Sequence, residues 1–287
     1  MRQRHPFPSP RILAPFAIAS AIAGAATADT LTINPAADGT LIQPNDGGQY
    51  SLGAAYNFYC GRTGTNGGGT LRRGLLRFDL TSIPVGSTVT SVSLRLYMSQ
   101  TSGGASNCGL HRVQQAWGEG TSFAFGGGGT LPEPNDVTWT HRVWPTLQWS
   151  VPGGSYVGTA SAVRSVNGAG TYTWASTAAL VADVQGWVND RESNFGWAVV
   201  GDEVTLNSAK KFEARESGTP AYRPTLVVNY VPAAAIPGDV NGDGKVNGAD
   251  IGVLLAAWGA TSGASDVNRD GIVNGADLGV LLSNWRP

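Results

Sequence analysis

The chain has 287 residues, of which 41% are hydrophobic and only 14% charged, so a substantial core lies under a mostly neutral, polar surface. A formal charge of −1 gives no sign of nucleic acid or an anionic membrane as partner. Forty glycines against two methionines argue for short strands joined by many turns rather than a helical bundle.

Residues 1–28 have the pattern of an export signal. Arg2, Arg4 and Arg11 form a basic start, an apolar run follows from Ile12 to about Ala23, and Ala26-Thr27-Ala28 supplies a small-x-small cleavage site. A spanning helix is the weaker alternative, because the run is short and contains Pro15. Cleavage would remove three of the 19 basic residues, leaving 16 against 20 acidic ones. In an oxidising compartment the two cysteines, Cys60 and Cys108, are expected to form one disulfide, with two buried thiols as the alternative. That bond would close a loop of 49 residues, worth about 4 kcal/mol on chain entropy alone.

From Asp29 to Val231 the apolar pattern has mostly period two. Residues 91–98 alternate Val92, Leu94, Leu96 and Met98 with Ser91, Ser93, Arg95 and Tyr97, a half-buried strand. Residues 75–80, 196–200 and 225–231 also read as strands. Only Ser176 to Val188 reads as a helix, with Leu180, Val184, Trp187 and Val188 on one side. The expected fold class is mainly β, a jelly-roll-like β-sandwich over 29–231. The glycine runs at 67–69 and 126–129 precede no Lys-Ser/Thr pair and are loops rather than phosphate cradles. Residues 232–237, with a proline at each end, read as a short stiff linker.

A different pattern begins at Gly238. Gly-Asp-Val-Asn-Gly-Asp-Gly-Lys-Val-Asn-Gly-Ala-Asp250 recurs 27 residues later as Ser-Asp-Val-Asn-Arg-Asp-Gly-Ile-Val-Asn-Gly-Ala-Asp277. Each copy is a 12-residue loop with oxygen ligands at positions 1, 3, 5, 9 and 12, a backbone carbonyl at position 7 and glycine at 6, which is calcium chemistry. The first loop offers Asp239, Asn241, Asp243, the carbonyl of Lys245, Asn247 and Asp250. The second offers Asp266, Asn268, Asp270, the carbonyl of Ile272, Asn274 and Asp277, so two calcium ions are expected. Asn247 and Asn274 stand as N-caps, with Asp250 and Asp277 completing capping boxes. The helices that follow carry Ile251, Leu254, Leu255 and Trp258, then Leu278, Leu281, Leu282 and Trp285, and these faces are expected to bury each other with Val246 and Val273 bridging the loops.

Pro232, Pro237 and Gly238 leave no room for an entering helix before the first loop. A duplicated loop–helix of this kind, with Asp at position 12, closely resembles a type I dockerin over residues 238–287. The resemblance implies a small all-α calcium-binding module that docks on a cohesin-like protein or cell-surface scaffold. It also implies that the partner is read at positions 10 and 11, here Gly248-Ala249 and Gly275-Ala276. The family often has hydroxyl residues there and a basic residue further along, where Ala256 and Ser283 stand, so the partner's identity does not carry over.

The larger part has its own likeness. Arg73-Gly-Leu-Leu-Arg-Phe-Asp-Leu-Thr-Ser-Ile-Pro84, Val92–Tyr97, Ala116–Gly120, Val137–Trp139, Asn194–Trp197 and Phe212-Glu-Ala-Arg-Glu216 before Arg223-Pro-Thr-Leu226 resemble a DNRLRE domain. Ala214 stands where that family usually has serine. The likeness implies a secreted β-sandwich, some of whose relatives resemble carbohydrate-binding modules.

Sugars stack their C–H faces on aromatic rings. Trp117, Trp144 and Trp149 lie among Gly, Pro and polar residues and are the candidates for glycan contact, with core packing as the competing role. Dockerins accompany polysaccharide-degrading enzymes, so a glycoside hydrolase is the alternative function, and it needs two carboxylates flanking the scissile bond. Glu119, Asp136, Asp183, Glu213 and Glu216 are available but form no catalytic signature, and Glu216 beside Arg215 reads as half of an ion pair. No G-x-S-x-G surrounds any serine; His111 and His141 are the histidines after the signal, and His141 reads as a packed or surface histidine, with a base or metal ligand as the alternative. The preferred expectation is a secreted, non-catalytic protein of polysaccharide catabolism that docks through its tail, with a sandwich that binds polysaccharide or serves as a surface or structural module.

Overall fold

The computed structural model describes residues 27–234 and 236–287. The expected export signal lies outside the described residues except for its last two positions.

Among the described residues, thirteen strands precede the tail: β1 (Asp29–Ile33), β2 (Ala37–Ile42), β3 (Asn57–Arg62), β4 (Leu71–Arg77), β5 (Thr88–Thr101), β6 (Ser106–Arg112), β7 (His141–Val143), β8 (Leu147–Gln148), β9 (Ala162–Val166), β10 (Gly170–Trp174), β11 (Trp197–Val200), β12 (Lys210–Glu213) and β13 (Thr225–Val231). One helix, α1 (Ala178–Asn189), lies between β10 and β11. Eleven strands form a continuous curled antiparallel sheet in the order β1-β13-β5-β12-β3-β4-β11-β6-β9, with β10 also on β5 and β2 also on β4. Strand β3 pairs β12 over Asn57 to Cys60 and β4 through Gly61 and Arg62, so the sheet turns from one layer to the other there. The inner faces then meet: Phe58, Leu94, Leu96, Phe212 and Leu226 share one buried cluster with Leu76, Leu110, Trp197 and Val199. This is a β-sandwich, with β7 and β8 as a separate small hairpin.

The period-two reading of 91–98 lies inside β5, and its inward set of Val92, Leu94, Leu96 and Met98 is buried. Residues 225–231 form β13 as read. Strand β4 ends three residues earlier than the 75–80 pattern suggests, because Asp79 Oδ1 accepts the Thr81 amide at 2.9 Å and Asn194 Nδ2 donates to the Phe78 carbonyl at 2.8 Å. Helix α1 buries the four side chains its spacing selects and is capped by Thr177, whose hydroxyl accepts the Leu180 amide at 3.0 Å. At Gly196 the chain needs a positive φ of 75°, and a Cβ there would fall 1.9 Å from the Leu76 carbonyl oxygen, so only glycine fits before β11.

The long excursion between β6 and β9 builds a second core on the outer face of β2, β4 and β11. Leu41, Leu75, Val113, Trp117, Val137, Trp149 and Ala198 form it. Its organiser is Asp136, which is buried and accepts the amides of Thr121 at 2.9 Å and Glu133 at 2.6 Å. Of their two readings, Trp117 and Trp149 take core packing rather than glycan contact, being only 4% and 5% exposed. Their indole N–H groups donate to the carbonyls of Phe195 (2.9 Å) and Thr138 (3.1 Å), so both rings anchor the loop instead. Trp144 is half-buried, edge-on to His141 at 4.7 Å.

The tail consists of α2 (Gly248–Ala256) and α3 (Gly275–Ser283) around a third core of Val246, Leu254, Val273 and Leu281, with Ile251 and Leu278 packed against it. The expected helix faces are narrower than their sequence pattern. Leu255 and Leu282 are 52% and 51% exposed, and Trp258 and Trp285 are 51% and 43% exposed. Each lies one residue past the buried stripe or beyond the end of a nine-residue helix, about 100° per residue around the axis. Both bridging valines are buried in this one core. Val246 exchanges backbone hydrogen bonds with Arg286, and Val273 with Gly259 and Ala260, so each loop is tied to the chain leaving the other loop's helix.

Among the described residues, no helix is long and apolar enough to cross a membrane.

Candidate metal centre and docking face

Both loops form by the same local logic. Gly244 and Gly271, at position 6, have φ of 84° and 92°, the left-handed turn that brings the loop back on itself. Asp239 Oδ1 accepts the amides of Gly242 (2.8 Å) and Asp243 (3.1 Å), and its Oδ2 accepts that of Gly244 (2.9 Å). Asp266 does the same with Asp270 (3.1 Å) and Gly271 (3.0 Å). Asn241 Oδ1 and Asn268 Oδ1 accept the amides of Asp243 and Asp270 at 2.9 and 3.0 Å.

Position 12 closes each loop onto its helix. Asp250 is buried, with Oδ2 on the Asn247 amide at 2.8 Å and Oδ1 on those of Val240 and Asn241 at 2.9 and 3.1 Å. Asp277 repeats this with Asn274 at 2.8 Å and Asn268 at 3.0 Å, and these amides hold its carboxyl below the usual aspartate range. Asn247 and Asn274 complete both capping boxes, accepting the amides of Ala249 and Ala276 at 2.8 and 2.7 Å.

Carboxylate oxygens of Asp239, Asp243 and Asp250 lie within 4.8 Å of one another, a group able to hold a divalent ion. Asp266, Asp270 and Asp277 are not drawn together as closely. The second loop has Arg269, at φ 60°, where the first has Gly242. The donor set suits calcium: oxygen only, clustered carboxylates, and glycine at the turn. The residues expected at the docking positions, Gly248, Ala249, Gly275 and Ala276, are all exposed, as are Leu255, Ala256, Leu282 and Ser283. They repeat between copies, one set at the start of each helix.

A second acidic group, which sequence reading did not assemble, lies in the sandwich. Oxygens of Asp38, Glu119 and Glu216 fall within 4.8 Å of one another. Arg215 binds Glu119 through two nitrogens, Nε at 2.7 Å and Nη2 at 2.6 Å, and also reaches Glu216 Oε1 at 2.8 Å. Asp38 is buried on β2 and accepts the Arg215 amide at 2.7 Å. Burial, then the neighbouring charge of Glu216, raises the Asp38 carboxyl well above the ordinary range, and burial also raises Glu216. Glu119 and Glu216 were legible as charged residues, but Asp38, 177 residues from Arg215 in the chain, carried no sequence signal.

The remaining candidate carboxylates stand apart. Asp183 Oδ2 accepts Trp197 Nε1 at 2.8 Å, and Glu213 accepts Asn57 Nδ2 at 2.8 Å and the Ser217 hydroxyl at 2.7 Å. His111 Nδ1 lies 2.9 Å from the Val157 carbonyl and His141 Nδ1 2.9 Å from the Thr140 hydroxyl, so both are packed side chains. Cys60 and Cys108 are both buried, and their sulfur atoms stand 3.5 Å apart as thiols rather than as the expected disulfide.

Residues 237–283 match the dockerin type I domain family. No curated protein matches the chain.

Proposed function

We propose that this is a secreted, non-catalytic protein in which a calcium-loaded dockerin module fastens a DNRLRE-type, jelly-roll-like sandwich to a cohesin-like partner on a surface or scaffold. The observation that carries this is the duplicated loop. Two 12-residue calcium loops, 27 residues apart, each close onto their own helix through a buried position-12 aspartate within the dockerin-matching segment. In this reading one ion is held by Asp239, Asn241, Asp243, the Lys245 carbonyl, Asn247 and Asp250. The other is held by the equivalent residues from Asp266 to Asp277. Bound calcium neutralises carboxylates that otherwise repel one another and holds each loop in one conformation. Gly248, Ala249, Gly275 and Ala276, with the exposed leucines beside them, form the partner's footprint. The sandwich, freed of its signal and stapled once Cys60 and Cys108 oxidise, holds polysaccharide.

The test is retention of secreted proteins from the source on the immobilised chain, with calcium and with chelator. A partner held only in calcium supports the reading. Nothing held in calcium would reduce the tail to a stabilising module.

The acidic group gives the alternative its one supporting observation. Glu216, shifted upward by burial, stands beside Glu119, which Arg215 grips through two nitrogens, and two adjacent carboxylates in unlike surroundings are what such an enzyme needs. Turnover of any glycan, abolished by Glu216→Gln, would establish a glycoside hydrolase instead.

A further inference from the structure

The two glycine runs at 67–69 and 126–129 meet in the fold. Gly67, Gly127 and Gly128 line one cleft of about 290 Å³ beside β3 and β4. Its one charged side chain is Arg72, on β4.

Arg72 is 6% exposed and, among the described residues, forms no ion pair. Neutral groups hold its guanidinium. Nε donates to the Gly127 carbonyl at 2.6 Å, and Nη1 donates to the Thr70 hydroxyl at 2.8 Å and the Leu71 carbonyl at 2.9 Å. Nη2 donates to no group of the described residues, yet it is not sealed from solvent. Burial lowers the Arg72 pKa to about 10, which still leaves it charged at neutral pH. A buried charge is ordinarily paired, and this one is not.

Two other arginines of the sandwich show what its free edge accepts. Nε and Nη2 lie side by side on one edge of a guanidinium. In Arg73 that edge holds Glu203 at 2.6 and 2.9 Å, and in Arg215 it holds Glu119 at 2.7 and 2.6 Å. In Arg72 the same edge meets one carbonyl and no carboxylate. This edge belongs to the cleft, because Gly127, the partner of Nε, lines it. Thr70, the partner of Nη1, instead lines a second hollow together with Asp46, whose carboxylate is taken by the Gly48 amide and the Tyr50 hydroxyl.

An oxyanion suits that edge. Its oxygen accepts the Nη2 protons in a charge-assisted hydrogen bond and supplies the missing counter-charge, which a neutral hydroxyl cannot do. No carboxylate lines the cleft to repel it. Ser102, Asn207 and Tyr59, whose phenol burial keeps protonated, bring further donors to the walls. Glycine lets the loop close in, since a Cβ at Gly127 would stand 3.2 Å from the Tyr59 ring. The volume lies just under the roughly 300 Å³ at which ligand pockets begin, which suits one small acid or one acidic unit of a polymer.

We propose that this cleft binds a single oxyanion, a carboxylate or sulfate group, seated on Arg72 Nη2. The site goes beyond the docking and polysaccharide readings and stands whether or not either holds.

The experiment labels the arginines of the full chain with ¹⁵N, in calcium, and titrates sulfate, acetate, glucuronate and glucose, with chloride holding the ionic strength constant. Through-space contact with Gly127 assigns the Arg72 Nε resonance, and Arg73, already closed by Glu203, is the control. Saturable movement of the Arg72 signal by an oxyanion and not by glucose supports the site. Gly128→Asp offers a carboxylate of the protein's own, at a position where a Cβ meets nothing within 4 Å. It should weaken the anion more than about tenfold by like-charge repulsion, whereas Gly128→Asn should leave it within about twofold. Equal binding by wild type and Gly128→Asp overturns the site. So does an Arg72 signal that no oxyanion moves, or one that moves only in step with Arg73. Movement by glucose to the same extent overturns the oxyanion assignment. Dextran sulfate and dextran distinguish the sources. If dextran sulfate moves the same signal and dextran does not, the site takes a polymer-borne group. If sulfate reaches it and dextran sulfate does not, the site takes a free small anion.

Discussion

The sulfur atoms of Cys60 and Cys108 lie 3.5 Å apart, both sealed from solvent, one on β3 where the sheet turns and the other on β6. A bonded pair needs about 2.05 Å, so closing the gap takes a small side-chain movement rather than a new fold. Protein from an oxidising compartment should show no free thiol when denatured, and two after reduction. Reduction should lower unfolding stability by about 4 kcal/mol, given a 49-residue loop. Two free thiols in such protein would refute the staple.

Calcium should control the tail and leave the sandwich intact. The third core buries four side chains, Val246, Leu254, Val273 and Leu281, worth about 1.5–3 kcal/mol each before ordering entropy. Two nine-residue helices are too short to persist alone. Chelator should erase their circular dichroism signal while the near-ultraviolet signal of the packed sandwich tryptophans remains. Asp250→Ala should do the same to α2 even in calcium, since it removes a ligand and a capping box together.

The Asp38 carboxyl sets a pH dependence of unusual sign. Its folded pKa is raised, so between the unfolded value of about 4 and that raised value the folded state binds more protons. Stability from this group is complete below about pH 4 and is lost as pH climbs through the folded pKa. Glu216 acts in the same direction. Denaturant midpoints of the sandwich, measured from pH 4 to 9, should fall less steeply with rising pH in Asp38→Asn than in wild type. Parallel curves would show that the cluster holds no extra proton.

Trp117 and Trp149 should report on folding, not on sugar. Removing either ring from the second core should cost about 3–5 kcal/mol in denaturation, whereas Trp144→Ala, half-buried, should cost less. A glycan affinity that falls in Trp117→Phe without loss of stability would restore the ring as a contact.

The docking face repeats, so one partner should find two equivalent ways on. Ala249→Arg or Ala276→Arg alone should lower affinity about twofold, a statistical factor, whereas the pair should lower it more than tenfold. Loss of all binding from one substitution would mean that a single copy is read.

What the sequence alone determined is local. Ligand spacing, the positive-φ glycines and the caps at Asn247 and Asn274 act within a dozen residues, so the tail's chemistry was legible before any fold was known. The alternation in β5 and β13 and the apolar face of α1 were legible for the same reason, since each is set by neighbours two to four residues away. Tertiary structure decided everything that depends on distant meetings. Arg215 comes to Asp38 across 177 residues and to Glu119 across 96. Trp117 and Trp149 are buried by a loop that wraps one layer of the sandwich. Burial is a property of what folds over a residue, and a side chain's neighbours in sequence do not specify it. Leu254 and Leu255 stand side by side in the tail, one sealed and the other half in water.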